Sequence, residues 1–163
     1  RFPKGMISKF PGPKYGVSGI RKLLKKPKGC LVVTVPKPKI GRTAKEQSIL
    51  AKILFTSGKG TYDGIKDDEN LTNLYFNKFN NRTKMILNEL KKAEKLTKNK
   101  KFYLCNITHS NMDIMKKRAN LIKKKYQTGF LTFWNGGHIC KRSEMKFSPL
   151  EKKFWNWMNN LNF

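Results

Sequence analysis

Four residues in the second half of the chain have the side chains of a zinc site: Cys105, His109, His138 and Cys140. Zinc accepts two cysteines and two histidines in tetrahedral geometry, and alternation along a strand places His138 and Cys140 on the same side. However, neither pair has the Cys-x2-Cys or His-x3–5-His spacing of common zinc sites. We therefore expect no metal and no other cofactor, and interpret the set as buried cysteines and polar histidines near loops.

Other groups that could react are explained by local structure. The run Ser57–Thr61 contains two glycines and a lysine but lacks the spacing and order of a phosphate-binding loop. Asp67-Asp68-Glu69 is the only acidic cluster, and we expect it to begin a short helix to Phe76, where carboxylates favour the positive helix end; a metal site is the alternative. Ser148 is predicted to cap a helix. The sequence therefore predicts a protein that is not an enzyme and has no small-molecule substrate.

The charge of the chain points to a polyanionic partner. The formal net charge is +26, and residues 1–45 hold thirteen Lys and Arg residues with no Asp or Glu. Thirty lysines against six arginines match an AT-rich coding bias, so the shortage of acids is the more informative signal. Because six of the seven prolines lie in this part, we expect residues 1–42 to form an extended basic arm, with an apolar clip at 30–35.

Phosphate contacts are expected from this arm and from one basic helix face. The residues predicted to contact RNA are Lys4, Lys9, Lys14, Arg21, Lys22, Lys25, Lys26, Lys28, Lys37, Lys39, Arg42, Lys116, Lys117, Arg118, Lys123, Lys124 and Lys125. The aromatic residues Phe2, Phe10, Tyr15 and Trp155 are candidates for stacking on bases.

Residues 43–163 are predicted to form an α+β body that is mostly helical. Thr43 and Glu46 form a capping box before a helix with Ala44, Ile49, Leu50, Ile53 and Leu54 on its apolar side. Further predicted elements are a helix from Asn80 or Asn81 to about Leu96, a strand at 102–107, a helix from Ser110 or Asn111 to Gly129, a β-hairpin at 130–142 and an amphipathic C-terminal helix from Ser148.

An acid-free extension rich in Gly, Pro and Lys on a small body of helices and strands resembles ribosomal proteins. The absence of an initial Met, interpreted as a removed presequence, resembles the mitochondrial ones. This resemblance is one of class and carries no motif over residue by residue. It implies a structural constituent of the mitochondrial ribosome in the matrix, which binds and stabilises ribosomal RNA beside neighbouring ribosomal proteins.

Two alternatives stay open from the sequence. One is an organellar DNA-binding protein of the nucleoid, although a predicted strand and hairpin do not fit an all-helical DNA-bending box. The other is a non-catalytic accessory subunit of a mitochondrial membrane complex that meets anionic lipid. No apolar run approaches the roughly 20 residues of a spanning helix.

Overall fold

The computed structural model describes residues 15–38, 40–57, 62–126 and 131–132, with the backbone alone at 123–126 and 131–132. The chain divides into two compact units, one of residues 1–28 and 141–163 and one of residues 29–140. The described part of the first unit holds helix α1, Gly16–Leu23. The Arg21 guanidinium donates to the carbonyl oxygen of Lys26 over 3.2 Å. This part of the predicted arm is therefore helical, and residues 1–14 lie outside the described residues.

The second unit alternates strands and helices along the chain. Its elements are β1 (Val33–Thr34), α2 (Ala44–Thr56), β2 (Gly64–Lys66), α3 (Phe79–Thr97), β3 (Phe102–Asn106), α4 (Met112–Tyr126) and β4 (Leu131–Thr132). The strands lie in the order β1-β2-β3-β4, and all three neighbouring pairs are parallel. The mixture of helices and strands is confirmed. The α+β arrangement is corrected to α/β, because each pair of parallel strands is joined through a helix.

Helix α2 begins as predicted but buries a different face. The Thr43 side chain accepts from the Glu46 backbone N–H, and Glu46 accepts from the Thr43 N–H, which completes the capping box. The side chains buried against the rest of the unit are Ala44, Gln47, Ser48, Ala51 and Phe55. Ile49 and Ile53, which were predicted to face the core, are each 51% exposed. The small residues Ala44, Ser48 and Ala51 therefore face inward together with Gln47 and Phe55, and Ile49 and Ile53 face outward.

Helix α3 supplies much of the core. Its start at Phe79 is within two residues of the predicted one, and Ile86, Leu90 and Ala93 are buried as expected. Leu96, also assigned to the apolar side, is 73% exposed near the end of the helix. The helix ends at Thr97, and the next residue, Lys98, adopts a left-handed conformation with φ 59°.

The segment after Gly60 differs most from the prediction. β2 was not foreseen, because Ile65 is the only aliphatic residue in Gly64–Lys66. Asp67-Asp68-Glu69 does not begin a helix; it follows β2 directly and starts a loop that leads to α3. Gly64 is required in β2 since a Cβ there would lie 2.3 Å from the Phe102 ring of β3.

The described residues reach the predicted hairpin only at 131–132. Leu131–Thr132 forms β4, which pairs in parallel with Cys105 and Asn106 of β3. The hairpin turn, its second strand and the helix from Ser148 lie outside the described residues. Within the described ranges, no helix is both long and apolar enough to cross a membrane.

Candidate functional site at the carboxyl ends of the strands

Charged side chains collect where β1 and β2 end. Lys37 lies three residues after β1, Lys66 is the last residue of β2, and Asp68 and Glu69 follow it. Because the strands are parallel, their carboxyl ends meet at one edge of the sheet, where α/β proteins commonly bind ligands. We refer to these four residues as the carboxyl-end site.

The four side chains form two ion pairs. The Lys37 ammonium donates to Asp68 Oδ2, and the Lys66 ammonium donates to Glu69 Oε1. The first pair joins the end of β1 to the end of β2, across 31 residues of sequence. The Lys37 side chain is 62% exposed whereas that of Asp68 is 2% exposed, so a buried carboxylate holds an ammonium group that solvent can reach.

The hydrogen bonds keep both carboxylates ionised. Burial acts to raise the pKa of Asp68, but hydrogen bonds from Lys37 and Asn70 outweigh it and hold that pKa below its usual value. The hydrogen bond from Lys66 likewise lowers the pKa of Glu69. The site therefore presents two ammonium groups, each held by a charged carboxylate.

A buried network lies beneath the site. The Asp67 carboxylate, fully buried, accepts from Arg82 Nε at 3.2 Å, Tyr103 Oη at 2.7 Å and the Asn106 N–H at 3.1 Å. Burial raises the pKa of Asp67, and the Arg82 charge acts against that rise. For Arg82, burial favours a lower pKa, but Asp67 and Tyr103 outweigh it and raise the pKa, so the guanidinium stays charged.

Arg82 also fixes the loop between β2 and α3. Its terminal nitrogens donate to the carbonyl oxygens of Leu71 at 2.8 Å and Asn77 at 3.0 Å. Asn77, which is fully buried, donates in turn to the carbonyl oxygen of Arg42 at 3.0 Å. A single buried arginine therefore ties the loop that carries Asp68 and Glu69 to helix α3.

This arrangement is suited to an anionic ligand. Ammonium groups held in place can bind phosphate or carboxylate oxygens without first being ordered. Among the described residues, no group of three or more His, Cys, Asp or Glu side chains is arranged to hold a metal ion.

Comparison with known proteins identifies the family. The model of the family "Ribulose bisphosphate carboxylase large chain, catalytic domain" matches residues 16–147, which is most of the chain. The chain belongs to this family. It is 43% identical over 122 residues to the ribulose bisphosphate carboxylase of Methanosarcina barkeri, covering 75% of this chain and 28% of that protein.

Solved structures agree with this assignment. The chain matches an octameric Rubisco from Pyrococcus horikoshii, described in complex with a sulfate ion, with TM-score 0.73 and 34% identity over 82% of this chain and 30% of that one. It matches a dimeric archaeal Rubisco from Hyperthermus butylicus with TM-score 0.71 and 34% identity over 81% and 30%. The chain therefore spans less than a third of the length of these relatives.

Membership in the carboxylase family corrects the predicted function. The relatives are named as enzymes, so the expectations of a non-catalytic ribosomal protein, a nucleoid protein or a membrane accessory subunit were wrong. The names of these relatives give a sugar bisphosphate as their substrate, and the solved relatives are dimers and octamers of Rubisco. Ribosomal RNA and ribosomal proteins were therefore wrong as expected partners, and so was the expected absence of a small-molecule substrate among the partners of such proteins. The mitochondrial ribosome was also wrong as a location, since these relatives are archaeal carboxylases.

Several of the residues predicted to contact RNA form contacts within the protein. Lys37 pairs with Asp68, Lys116 lies 3.7 Å from Asp113, and Arg42 donates to the carbonyl oxygen of Pro38. Arg118 is 7% exposed; it donates to the carbonyl oxygen of Thr108 at 2.6 Å, and its guanidinium lies 4.8 Å from the centre of the Phe79 ring.

The other basic residues are exposed, half-buried or outside the described residues. Lys22, Lys25, Lys28 and Lys117 are exposed, and Lys26 is half-buried. Lys4, Lys9, Lys14 and Lys39 lie outside the described residues, as do the side chains of Lys123, Lys124 and Lys125. Of the stacking candidates, Tyr15 is 36% exposed, while Phe2, Phe10 and Trp155 lie outside the described residues.

The four residues considered as a zinc set are described at two positions. Cys105 is buried in β3, and burial raises the pKa of its thiol, which keeps the sulfur neutral. His109 Nδ1 accepts from the Asn111 backbone N–H at 2.9 Å. His138 and Cys140 lie outside the described residues.

Sequence reasoning missed the site although it singled out most of its residues. Lys37 was assigned to the arm, and Asp68 and Glu69 to the start of a helix. The signal that could have located them was an acidic cluster directly after a short strand, in a chain where strands and helices alternate.

Proposed function

We propose that this chain takes part in the carboxylation of ribulose bisphosphate, and that the carboxyl-end site contacts this substrate. The observation that carries the proposal is the Lys37–Asp68 pair, which joins the carboxyl ends of two adjacent parallel strands and leaves an exposed ammonium group there. The family match and the names of the archaeal relatives supply the substrate and the reaction.

The charge of the site suits a sugar bisphosphate. Each phosphate group of such a substrate is anionic, and lysine is a common phosphate-binding side chain. Lys37 and Lys66 provide two ammonium groups at the same sheet edge. The Lys66 group is further held by a hydrogen bond to the carbonyl oxygen of Asp67 at 3.1 Å.

The carboxylation itself has electrostatic demands that the site can serve. Adding CO2 to a sugar requires a carbon that has lost a proton beside a carbonyl group, which places negative charge on oxygen. Fixed ammonium groups stabilise such developing charge. A neighbouring carboxylate can accept or return a proton when it lies within hydrogen-bonding reach, and Asp68 and Glu69 are the carboxylates nearest to these amines by the ion pairs they form.

The test is binding of ribulose 1,5-bisphosphate to the full chain, measured by calorimetry at several salt concentrations. We expect Lys66→Met to weaken binding by at least about tenfold, because it removes a charge-assisted hydrogen bond worth roughly 1.5–3 kcal/mol. Lys92→Met is the matched control. Lys92 also forms an ion pair with a glutamate three residues away, Glu89, at 2.7 Å, but on the outer surface of α3.

Two results would overturn the proposal. One is a wild-type chain that does not bind the bisphosphate at low salt. The other is equal loss of affinity in Lys66→Met and Lys92→Met, since this would show that binding follows the overall charge of +26 and not the site.

A further inference from the structure

We propose that Asn106 is a positioning residue for the carboxyl-end site: it orients the backbone of Asp68 and Glu69 so that their side chains meet Lys37 and Lys66. This inference rests on the proposed function for its consequence in substrate binding. Asn106 itself contacts neither of the two lysines through any described hydrogen bond.

Asn106 makes four described hydrogen bonds. Its Nδ2 donates to the carbonyl oxygens of Asp68 at 3.3 Å and Glu69 at 2.8 Å. Its Oδ1 accepts from the Thr108 N–H at 3.0 Å, and its own N–H donates to Asp67 Oδ2 at 3.1 Å. The residue is 2% exposed, so water does not replace these bonds.

These bonds lie where the backbone pairing of β2 with β3 ends. The paired register of β2 and β3 ends with Lys66 opposite Leu104, and the Asp67 N–H makes one further bond to the carbonyl oxygen of Leu104 at 2.9 Å. Beyond this point the backbones of the two strands no longer pair, and the Asn106 amide takes over. The Asn106 side chain therefore takes the place of backbone pairing at Asp68 and Glu69, the residues that carry the carboxylates.

The two bonds from the Asn106 amide fix the backbone that carries the Asp68 and Glu69 side chains. A donor shared by two successive carbonyl groups fixes both peptide planes, and the peptide planes set the directions of the Asp68 and Glu69 side chains. Asp68 is thereby directed to Lys37 from β1, and Glu69 to Lys66 from β2. Without the amide, both carbonyl groups would turn toward water, and the two ion pairs would lose their common orientation.

Asn106→Leu tests this inference, with Asn77→Leu as the matched control. Leucine has a similar size and no charge, and it cannot donate a hydrogen bond. Asn77 is also a buried asparagine, and it lies in the loop that carries Asp68 and Glu69, but it donates to the carbonyl oxygen of Arg42 and accepts from Arg82. Both substitutions bury unpaired backbone groups and should destabilise the chain.

The readout is a carbon NMR titration of the Asp68 and Glu69 carboxyl groups in the full chain. We expect Asn106→Leu to raise both pKa values toward their ordinary range, because the hydrogen bonds from Lys37 and Lys66 that lower them are lost. Asn77→Leu should leave both pKa values lowered. Ribulose 1,5-bisphosphate should bind Asn106→Leu about tenfold more weakly than Asn77→Leu.

Unchanged carboxyl titrations in Asn106→Leu would overturn the inference, and so would equal shifts in both variants. If Asn106→Leu does not fold, Asn106→Ser replaces it, because a hydroxyl is too short to reach both carbonyl oxygens and should shift the titrations in the same direction. A wild-type chain that fails to bind the bisphosphate would contradict the proposed function, while the carboxyl titrations would still decide the role of Asn106.

Discussion

The two ends of the parallel sheet use their charged residues differently. At the amino end, Asp63 Oδ2 accepts from the Val32 N–H at 2.7 Å, the Lys101 ammonium donates to the carbonyl oxygen of Tyr62 at 2.8 Å, and Glu94 accepts from the Lys101 N–H at 3.0 Å. Each of these charged groups bonds to a backbone group, and Glu94 also pairs with the Lys100 ammonium at 3.2 Å, but this pair joins a helix to the following loop and not one strand end to another. At the carboxyl end, the ammonium groups of Lys37 and Lys66 are held by carboxylates.

The difference separates structural polar residues from functional ones. A buried charged group bonded to the backbone replaces part of the strand ladder and has little freedom to bind anything else. An ammonium group that is held by a carboxylate but reached by solvent is both ordered and available, as for Lys37. The chemistry of this carboxylase-family chain should therefore concentrate at the carboxyl end, and substitutions at the two ends should have different effects.

The largest effect should come from Arg82→Met, beneath the carboxyl end. This change leaves the buried Asp67 carboxylate without its counter-charge and should lower the free energy of unfolding by about 3–5 kcal/mol at neutral pH. Because the Asp67 pKa is already raised by burial and would rise further, the folded variant binds more protons than the unfolded chain above pH 4. Stability should therefore fall as the pH rises.

Urea unfolding at pH 4.5 and pH 7.5 measures this effect. We expect a markedly smaller loss at pH 4.5, where Asp67 takes up a proton. The double variant Asp67→Asn/Arg82→Met is the control and should show the same loss at both pH values. A loss in Arg82→Met that does not depend on pH would contradict an ionised Asp67–Arg82 pair.

A smaller loss of stability is expected from Gly64→Ala in β2, the strand that runs between the two ends of the sheet. The added Cβ would lie 2.3 Å from the Phe102 ring, so the ring or the two strands must shift. Overpacking of this kind costs about 1–3 kcal/mol, measurable as a lower denaturation midpoint. Phe102→Leu in the same chain should recover part of the loss, and the absence of any recovery would place the strain elsewhere.

Lys101→Met at the amino end should cost about 1 kcal/mol, because the carbonyl oxygen of Tyr62 loses a hydrogen bond at a position that is 8% exposed. The affinity for ribulose 1,5-bisphosphate should stay within about twofold of wild type, since this end binds no ligand in our account. Calorimetry beside urea unfolding measures both quantities. A large loss of affinity without a loss of stability would reverse the assignment of the two ends.

Lys37→Met at the carboxyl end should show the opposite pattern. The lysine side chain is 62% exposed, so its ion pair adds less than about 1 kcal/mol to stability. The Asp68 pKa should rise when the Lys37 hydrogen bond is removed. As the pH is lowered, the stability that the ionised Asp68 provides should therefore be lost at a higher pH in the variant than in wild type. Bisphosphate affinity should fall about tenfold, and an unchanged affinity would exclude Lys37 from the site.

Local signals predicted where α2 and α3 begin. The Thr43–Glu46 capping box and the start of α3 near Asn80 are contacts or patterns within a few residues of sequence. Ala44 was correctly assigned to the inward face of α2, but the rest of that face could not be predicted in the same way, because it consists of Gln47, Ser48, Ala51 and Phe55 while the apolar Ile49 and Ile53 point outward.

The site could not be predicted, because its residues meet through contacts between positions that are far apart in the sequence. Lys37 and Asp68 are 31 residues apart, and Asn106 reaches Asp68 across 38 residues. Parallel pairing brings these positions together, and β2 has only one aliphatic residue to reveal it. Without that strand, a basic segment rich in proline and an acidic cluster had no reason to be neighbours, and the charge of the whole chain dominated the interpretation.

The most direct test of the central claim is NMR mapping of ribulose 1,5-bisphosphate on the isotopically labelled full chain. We predict that signals of Lys37, Lys66, Asp68 and Glu69 shift in a saturable way, while those of Asp63, Glu94 and Lys101 stay in place. Shifts at the amino end, or shifts spread evenly over the exposed lysines, would contradict a substrate site at the carboxyl ends of the strands.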